Sequence, residues 1–561
     1  MTGLDQDAPE RRRGDRAFRG WRGPLLAALV AMLCGLPGVF GLPPLDRDEA
    51  RYAQATAQMI ESGDYVNIRF QDQPRHKKPV GIHWLQATSV RLLSSAEARD
   101  IRAYRVPSLL GAMLAAAACA WGAAAFFGAR AGFVAGAVLA ATFLLSSEAS
   151  IAKTDAALCG AIVLMQASLA RVYRSARSGG RAHRRHLIPL WLAMAAAVLI
   201  KGPVGPLVFA LTLAGLWVAD REVRWAGRLG WTWGLGVVLL VVGPWAAAVT
   251  VQTDGAFWRE AVGGDIASKL VGADERHGGW PGLHLAVLPI LFFPAALVLP
   301  AAAVAGWRER ANPGVRFALA WLLPAWLLFE LVPTKLVHYP LPLYAALAWL
   351  VAAALARPFD AFGRLGGVVL SLLSGAGVAA ACVHLLARFG AQDARAAGVL
   401  AACFAAAAGL VGAIALLRRL PLAALAGAGV LGAASHGMLA LGLIPRLEPL
   451  QLSPRAAEAL AAAGLDPREG LAPGPVAVAG YAEPSVVFLL GTATGLGGAT
   501  EAAAAVAEGR PALVEAAVDA AFQRELRQAS LRARAVATVS GFNYSRGAAE
   551  RLTLYRRQET P

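Results

Sequence analysis

Charge and cysteine are both scarce in this chain. Asp, Glu, Lys and Arg make up 16% of its 561 residues, against about 25% in a typical soluble domain. So little charge, beside 57% hydrophobic residues, excludes an ordinary soluble enzyme. The five cysteines (Cys34, Cys119, Cys159, Cys382 and Cys403) all fall inside apolar runs. They have neither metal-ligand spacing nor a disulfide framework and read as small core residues. There is no H-E-x-x-H, no C-x-x-C, no P-loop and no G-x-G-x-x-G after a strand, which disfavours soluble nucleotide chemistry.

What the chain has is a succession of apolar runs of roughly 17–24 residues, the length that crosses a bilayer as a helix. Thirteen runs are counted, from 24–43 to 421–444, which predicts an all-α polytopic membrane protein. A basic N-terminus (1–23) precedes the membrane domain (24–444), and the first run is read as a retained span rather than a cleaved signal. The net charge of +16 reflects arginines in short loops, such as RSARSGGRAHRRH (174–186) and WRERANPGVR (307–316). With the N-terminus inside, every such loop falls on one side, as the positive-inside rule requires. After 444 the character changes. GPVAVAGY, SVVFLLG, ARAVATVSGF and RLTLYRR read as strands and PALVEAAVDAAFQREL as an amphipathic helix, predicting a small α/β domain outside the membrane over 445–561.

The same topology collects the remaining ionisable residues on the other face: Asp48, Arg51, Lys78, Asp155, Lys201, Asp265, Lys269, His277, Lys335 and His338. Charges this close to hydrocarbon are costly and usually functional. The loop 44–103 holds a carboxylate cluster (Asp46, Asp48, Glu49) and a cation cluster (Arg75, Lys77, Lys78), and a second outer loop spans 251–283. Asp48 and Glu49 begin a predicted helix and point about 100° apart, so one takes a catalytic role while the other binds or is structural. Helix capping alone is an equal alternative. Lys201 and Lys335 stand alone between apolar runs, where a lysine serves as a point charge for phosphate.

These motifs resemble glycosyltransferase family 39 in its bacterial branch, the enzymes similar to the lipid A aminoarabinose transferase, which are distant relatives of protein O-mannosyltransferases. The resemblance rests on D-E-x-R-Y-A (Asp48 to Ala53), S-G-D (Ser62 to Asp64), K-P (Lys78-Pro79), T-D (Thr154-Asp155), K-G (Lys201-Gly202) and K-L-x-x-Y-x-L-P (Lys335 to Pro342). It implies the GT-C membrane fold and inverting transfer of a sugar from a polyprenyl phosphate to lipid A or another envelope acceptor, on the periplasmic side of the inner membrane. By that resemblance Asp48 is the essential carboxylate. Glu49, Arg51, Tyr52, Lys77, Lys78, Asp155, Lys201, Lys335 and Tyr339 form the substrate site, and no nucleic acid is involved. Relatives carry a glutamate, where this chain has Lys77, that shares a divalent metal with an outer-loop histidine matched here by His277. A lysine cannot be that ligand, so either Lys77 replaces the metal's charge or the metal is held differently. Protein O-glycosylation is the rival enzyme reading, and a lipid-linked-sugar transporter the rival outside enzymes. Transporters place charges near the bilayer midplane, often with internal repeats, and no repeat is detected.

Overall fold

The computed structural model describes residues 17–180, 183–266 and 279–558. The first run becomes α1 (Arg22–Gly41) and the loop after it α2 (Asp48–Ser62), a two-residue hairpin of β1 (Arg69–Phe70) and β2 (Gln73–Pro74), and α3 (Gly81–Leu93). Then follow α4 (Ile101–Phe127), α5 (Ala129–Ala141), α6 (Phe143–Glu148), α7 (Thr154–Arg177), α8 (Arg184–Lys201), α9 (Val204–Asp220) and α10 (Trp231–Gln252). The bundle ends with α11 (Leu283–Leu291), α12 (Leu299–Arg308), α13 (Pro313–Leu331), α14 (Tyr344–Ala354), α15 (Ala361–Phe389), α16 (Arg395–Leu417) and α17 (Pro421–Met438).

Each of the thirteen apolar runs is therefore helical, but they are not equal. Among the described residues eight helices are long and apolar enough to span a bilayer, or nine if a bent pair counts as one span. That pair, Leu283–Leu291 and Ala295–Arg308, bends by 114°. Three further apolar helices (Ala129–Ala141, Val204–Asp220, Leu341–Ala354) fall short of a full span. The run that periodicity reads as one span at 284–305 is thus broken, because hydropathy registers apolar length and not direction. Four of the five cysteines are buried as expected, but Cys403 is exposed on the bundle surface.

Close helix contacts place the site. Gly160 on α7 faces Gly111 on α4, where an added Cβ would meet the Gly111 carbonyl at 2.5 Å. Small residues let two membrane helices touch backbone to backbone. The outer ends of α4 and α7, carrying Arg105 and Asp155, are fixed together as a result. At the opposite end, Asp220 accepts from Arg177 (3.1 Å), Tyr173 (2.8 Å) and Arg316. This draws three of the arginine-rich loops together.

Around α2 the predicted helix 49–59 and its buried face are as expected. Ala53 and Ala57 are fully buried, and Gly63 ends the helix in the left-handed conformation (φ 72°) with its N–H on Met59 O. Glu49 is sealed at 1% exposure. Its oxygens accept from Arg105 Nε and Nη2 (2.8 Å each), Leu45 N (2.8 Å) and Ala152 N (2.8 Å). Arg105, fully buried, spends its other donors on the carbonyls of Leu42 (2.7 Å), Pro43 (2.9 Å), Val39 (3.2 Å) and Gly38 (3.3 Å).

The tail is an α/β layer structure: α18 (Leu452–Ala462), β3 (Ala477–Ala479), α19 (Pro484–Leu490), β4 (Gly495–Gly497), α20 (Ala499–Ala507), β5 (Ala512–Glu515), α21 (Ala516–Gln528), β6 (Ala533–Asn543) and β7 (Ala548–Arg557). The mixed sheet runs β4-β3-β5-β7-β6, with β3 parallel to β4 and β5 and the rest antiparallel. Alternation splits its core, with Val478 and Leu513 packing with Leu460 and Val487 while Ala477 and Val514 pack with Val506 and Phe522. SVVFLLG, expected as a strand, is the helix α19. Short buried apolar runs carry no periodicity to separate the two, and Pro484 at its first turn favours helix. PALV, expected within a helix, is the strand β5.

Replacing Arg105 with methionine leaves Glu49 charged in a dry site. Breaking a buried pair from one side costs about 3–5 kcal/mol. Thermal unfolding in detergent is expected to show a large loss for Arg105→Met and also for Glu49→Gln, which leaves Arg105 charged and turns an amide NH2 toward two N–H donors.

Candidate active site

Clamping Glu49 aims its neighbour. Asp48, the first residue of α2, is exposed. The adjacent pair therefore divides as its 100° separation requires, with one carboxylate sealed into protein and one open. Arg47 before it adopts φ 63°, ψ −107°, a conformation that strains a side-chain-bearing residue. Its guanidinium donates to the Ser545 carbonyl of the tail. Arg51, one turn along α2, is half-buried. Burial lowers its pKa, Arg75 lowers it further, and Asp48 opposes both. Arg75 stacks on the Tyr52 ring at 4.7 Å. Lys77 is exposed and Lys78 half-buried at the entry to α3.

A second, dry cluster lies at the ends of α6, α7 and α8. Lys201, the last residue of α8, donates to Asp155 Oδ1 at 2.5 Å. Lys153 contacts Glu148 at 3.0 Å and Asp155 at 3.6 Å. Burial by itself would lower the Lys153 pKa, but the two carboxylates outweigh it and raise it, and Asp48 adds to their field. His338 lies 3.7 Å from Asp155 and 4.0 Å from Glu148. Burial lowers its pKa, against the pull of both carboxylates. Tyr339 turns its ring to Lys201 Nζ, 5.4 Å from the centroid. Lys335, 6% exposed, donates to Val332 O at 2.8 Å and opens the loop that delivers His338 and Tyr339.

Of the residues singled out from sequence, the structure brings Asp155, Lys201 and Tyr339 together, with Asp48, Arg51 and Tyr52 on the adjoining helix. Glu49 stands apart, fully occupied by protein donors. Glu148 and Lys153, signalled only by the SSEASIAK break between two apolar runs, and His338, placed on the outer face beside Lys335, were given no role from sequence but complete the cluster. His277 lies outside the described residues. No three His, Cys, Asp or Glu side chains among the described residues group to hold a metal. Among the described residues near Lys77, His76 and Glu260 pair at 3.2 Å.

The tail closes over the loop. Tyr544 Oη accepts from Asp46 N at 2.6 Å, and Ser485 Oγ donates to the Asp46 carboxylate. Thr492 accepts from Gln54 at 2.7 Å, and Gln71 donates to Thr494 O at 2.6 Å.

The helix bundle thus carries a buried ion cluster at one end, and a small α/β domain covers that end. Residues 77–247 match the family model described as dolichyl-phosphate-mannose-protein mannosyltransferase. The chain is similar to the undecaprenyl phosphate-alpha-4-amino-4-deoxy-L-arabinose arabinosyl transferase of Edwardsiella ictaluri, 27% identical over 388 residues, 67% of each chain. It is similar also to that of Pseudomonas aeruginosa, 28% identical over 344 residues, 59% of this chain and 60% of the other. Across the relatives of this name the match spans 54–67% of their length. Its fold is that of ArnT from Cupriavidus metallidurans, with TM-score 0.72 at 20% identity in both the apo and the undecaprenyl phosphate-bound crystal structures. The match covers 94% of this chain and 97% of the apo one. The chain is thus a multi-pass membrane protein of the GT-C fold, similar to these arabinosyl transferases.

Burial raises the Asp46 pKa from 3.8 to about 6, with Ser485 and Tyr544 opposing and Glu483 and Glu550 adding to the rise. A carboxyl that holds its proton more tightly when docked favours docking fully below about 3.8 and loses that contribution as pH rises through about 6. Hydrogen exchange of residues 484–494, corrected for intrinsic rates, is expected to be slower at pH 5 than at pH 7.5. Asp46→Asn should flatten the difference.

Proposed function

We propose that the chain transfers a sugar from a polyprenyl phosphate to an anionic or hydroxyl group of lipid A or another envelope acceptor, with inversion, on the periplasmic side of the inner membrane. The observation that carries this reading is the pairing of one open carboxylate, Asp48, with a dry cluster holding Lys153 and Lys201, at the end of the bundle away from the arginine-rich loops. A departing phosphate needs developing negative charge neutralised in a low-dielectric, preorganised site. Lys201 is held ready by Asp155, and Lys78, Arg51 and Lys335 supply further positive charge.

In the step itself an acceptor oxygen attacks the anomeric carbon. The bond from that carbon to the phosphate oxygen breaks, and polyprenyl phosphate leaves with the electron pair. A hydroxyl acceptor gives its proton to Asp48, which acts as general base. A phosphate acceptor is already anionic, and Asp48 then orients the donor. Lys77 occupies the position of the relatives' glutamate, and we propose that its ammonium supplies the charge a metal would bring there. The relatives' names support undecaprenyl phosphate as the carrier and an aminopentose as the sugar.

The test is transfer by the purified full chain in nanodiscs from radiolabelled undecaprenyl phosphate-aminoarabinose to lipid A. Asp48→Asn and Lys78→Ala are expected to lose activity by about 10²–10⁴-fold with folding intact, and chelator should leave wild-type transfer unchanged. Unimpaired variants, or movement of lipid-linked sugar across vesicles without transfer, would replace this reading with the transporter one. Loss of transfer on chelation would show that the metal is held by other residues.

A further inference from the structure

At the end of the bundle opposite Asp48, a cavity of about 660 Å³ opens between the start of α1 and helices α4, α7 and α8. Its walls are apolar, with Leu114 and Leu164 reaching toward the hydrocarbon, and its polar side chains are Arg19, Arg171, Arg185 and His186. No carboxylate lines it among the described residues. The charges that bear on Arg171 are those of Arg174 and Arg185, both of the same sign. The nearby carboxylate of Asp220 is consumed by Arg177, Arg316 and Tyr173.

Arg171 is held rigidly for a partner it does not have. Its Nη2 donates to Trp121 O at 2.5 Å and its guanidinium stacks on the Trp121 ring at 4.2 Å. Its Nε is nevertheless buried without a hydrogen-bond partner. His186, 6% exposed, lies 5.6 Å from the same ring, and its Nδ1 is likewise buried and unpartnered. A buried polar atom left without a partner costs its desolvation, and both of these belong to side chains that border one cavity of unopposed positive charge.

We propose that this cavity binds the phosphate headgroup of an anionic membrane phospholipid. Arg171 and His186 meet the phosphate at the floor, Arg19 and Arg185 meet it at the rim, and the acyl chains lie along α4 and α7. Basic pockets between membrane helices suit such headgroups. A lipid rather than a free phosphate is indicated by the leucine and alanine walls, which a soluble ion would leave unsatisfied. The site is separate from the proposed transfer chemistry. It lies at the other end of the bundle, has no carboxylate among its described lining residues, and would anchor the chain in one leaflet.

Native mass spectrometry of the delipidated full chain tests this, titrating phosphatidylglycerol or phosphatidylcholine and adding inorganic phosphate as competitor. Wild type is expected to retain phosphatidylglycerol selectively, and inorganic phosphate should not displace it. Each arginine removed should weaken retention about fivefold, and His186→Phe, which keeps the ring on Trp121, should weaken it too. Arg19 and Arg185 are exposed, so the variant Arg19→Ala/Arg185→Ala remains informative if Arg171→Ala fails to fold. Equal retention of both lipids, or unchanged retention in the double variant, would overturn the proposal. Saturable binding of inorganic phosphate that excludes phosphatidylglycerol would overturn it as well.

Discussion

The outer end of this bundle depends on one ion pair with no water around it. Arg105 and Glu49 lie at 0% and 1% side-chain exposure, where an isolated charge would be prohibitively costly. Each is tolerated because the other, and a ring of backbone groups, satisfies all of it. Those backbone groups belong to the end of α1, the start of α2 and the break before α7. Three segments distant in sequence, 38–49, Arg105 on α4 and Ala152 in the break before α7, are therefore held to a common geometry by one ion pair. The direction of Asp48 follows from this, since the residue after it is immobilised.

Charge balance explains how the neighbouring cluster stays dry. Lys153 and Lys201 face Glu148 and Asp155. Two cations set against two carboxylates keep the desolvation penalty bearable. The surplus positive charge lies on the wetter side, at Arg51, Arg75, Lys77 and Lys78. A phosphate arriving there finds attraction first. It then reaches lysines already oriented, with little reorganisation left to perform.

Much of this was legible in the chain. Apolar runs located the helices because bilayer-length hydrophobicity is a one-dimensional signal. Lone lysines such as Lys201 stood out because hydrocarbon tolerates them poorly. Arg105 was not singled out, since five residues into an apolar helix it resembles a snorkelling terminus, and only the fold shows it pointing at Glu49. The bend between α11 and α12 was invisible because hydropathy averages over direction. In the tail, SVVFLLG misled because a fully buried heptad has no polar face to betray its period. The contacts of Asp46, Gln54 and Gln71 with the tail join residues more than four hundred positions apart. No local pattern encodes such a contact.

Arg47 combines two properties that seldom coincide. Its backbone occupies the left-handed half of conformational space, where glycine would rest without strain. Its side chain is nevertheless the tether to the Ser545 carbonyl. A glycine there would relax the peptide but cut the tether and enlarge the freedom of the unfolded loop. The position thus exchanges local comfort for a long-range bond. The orientation of the Asp48 carboxylate next to it is set partly by the tail domain that holds the tether. Trimming that domain away would act on the loop as slackening a guy-rope acts on a mast.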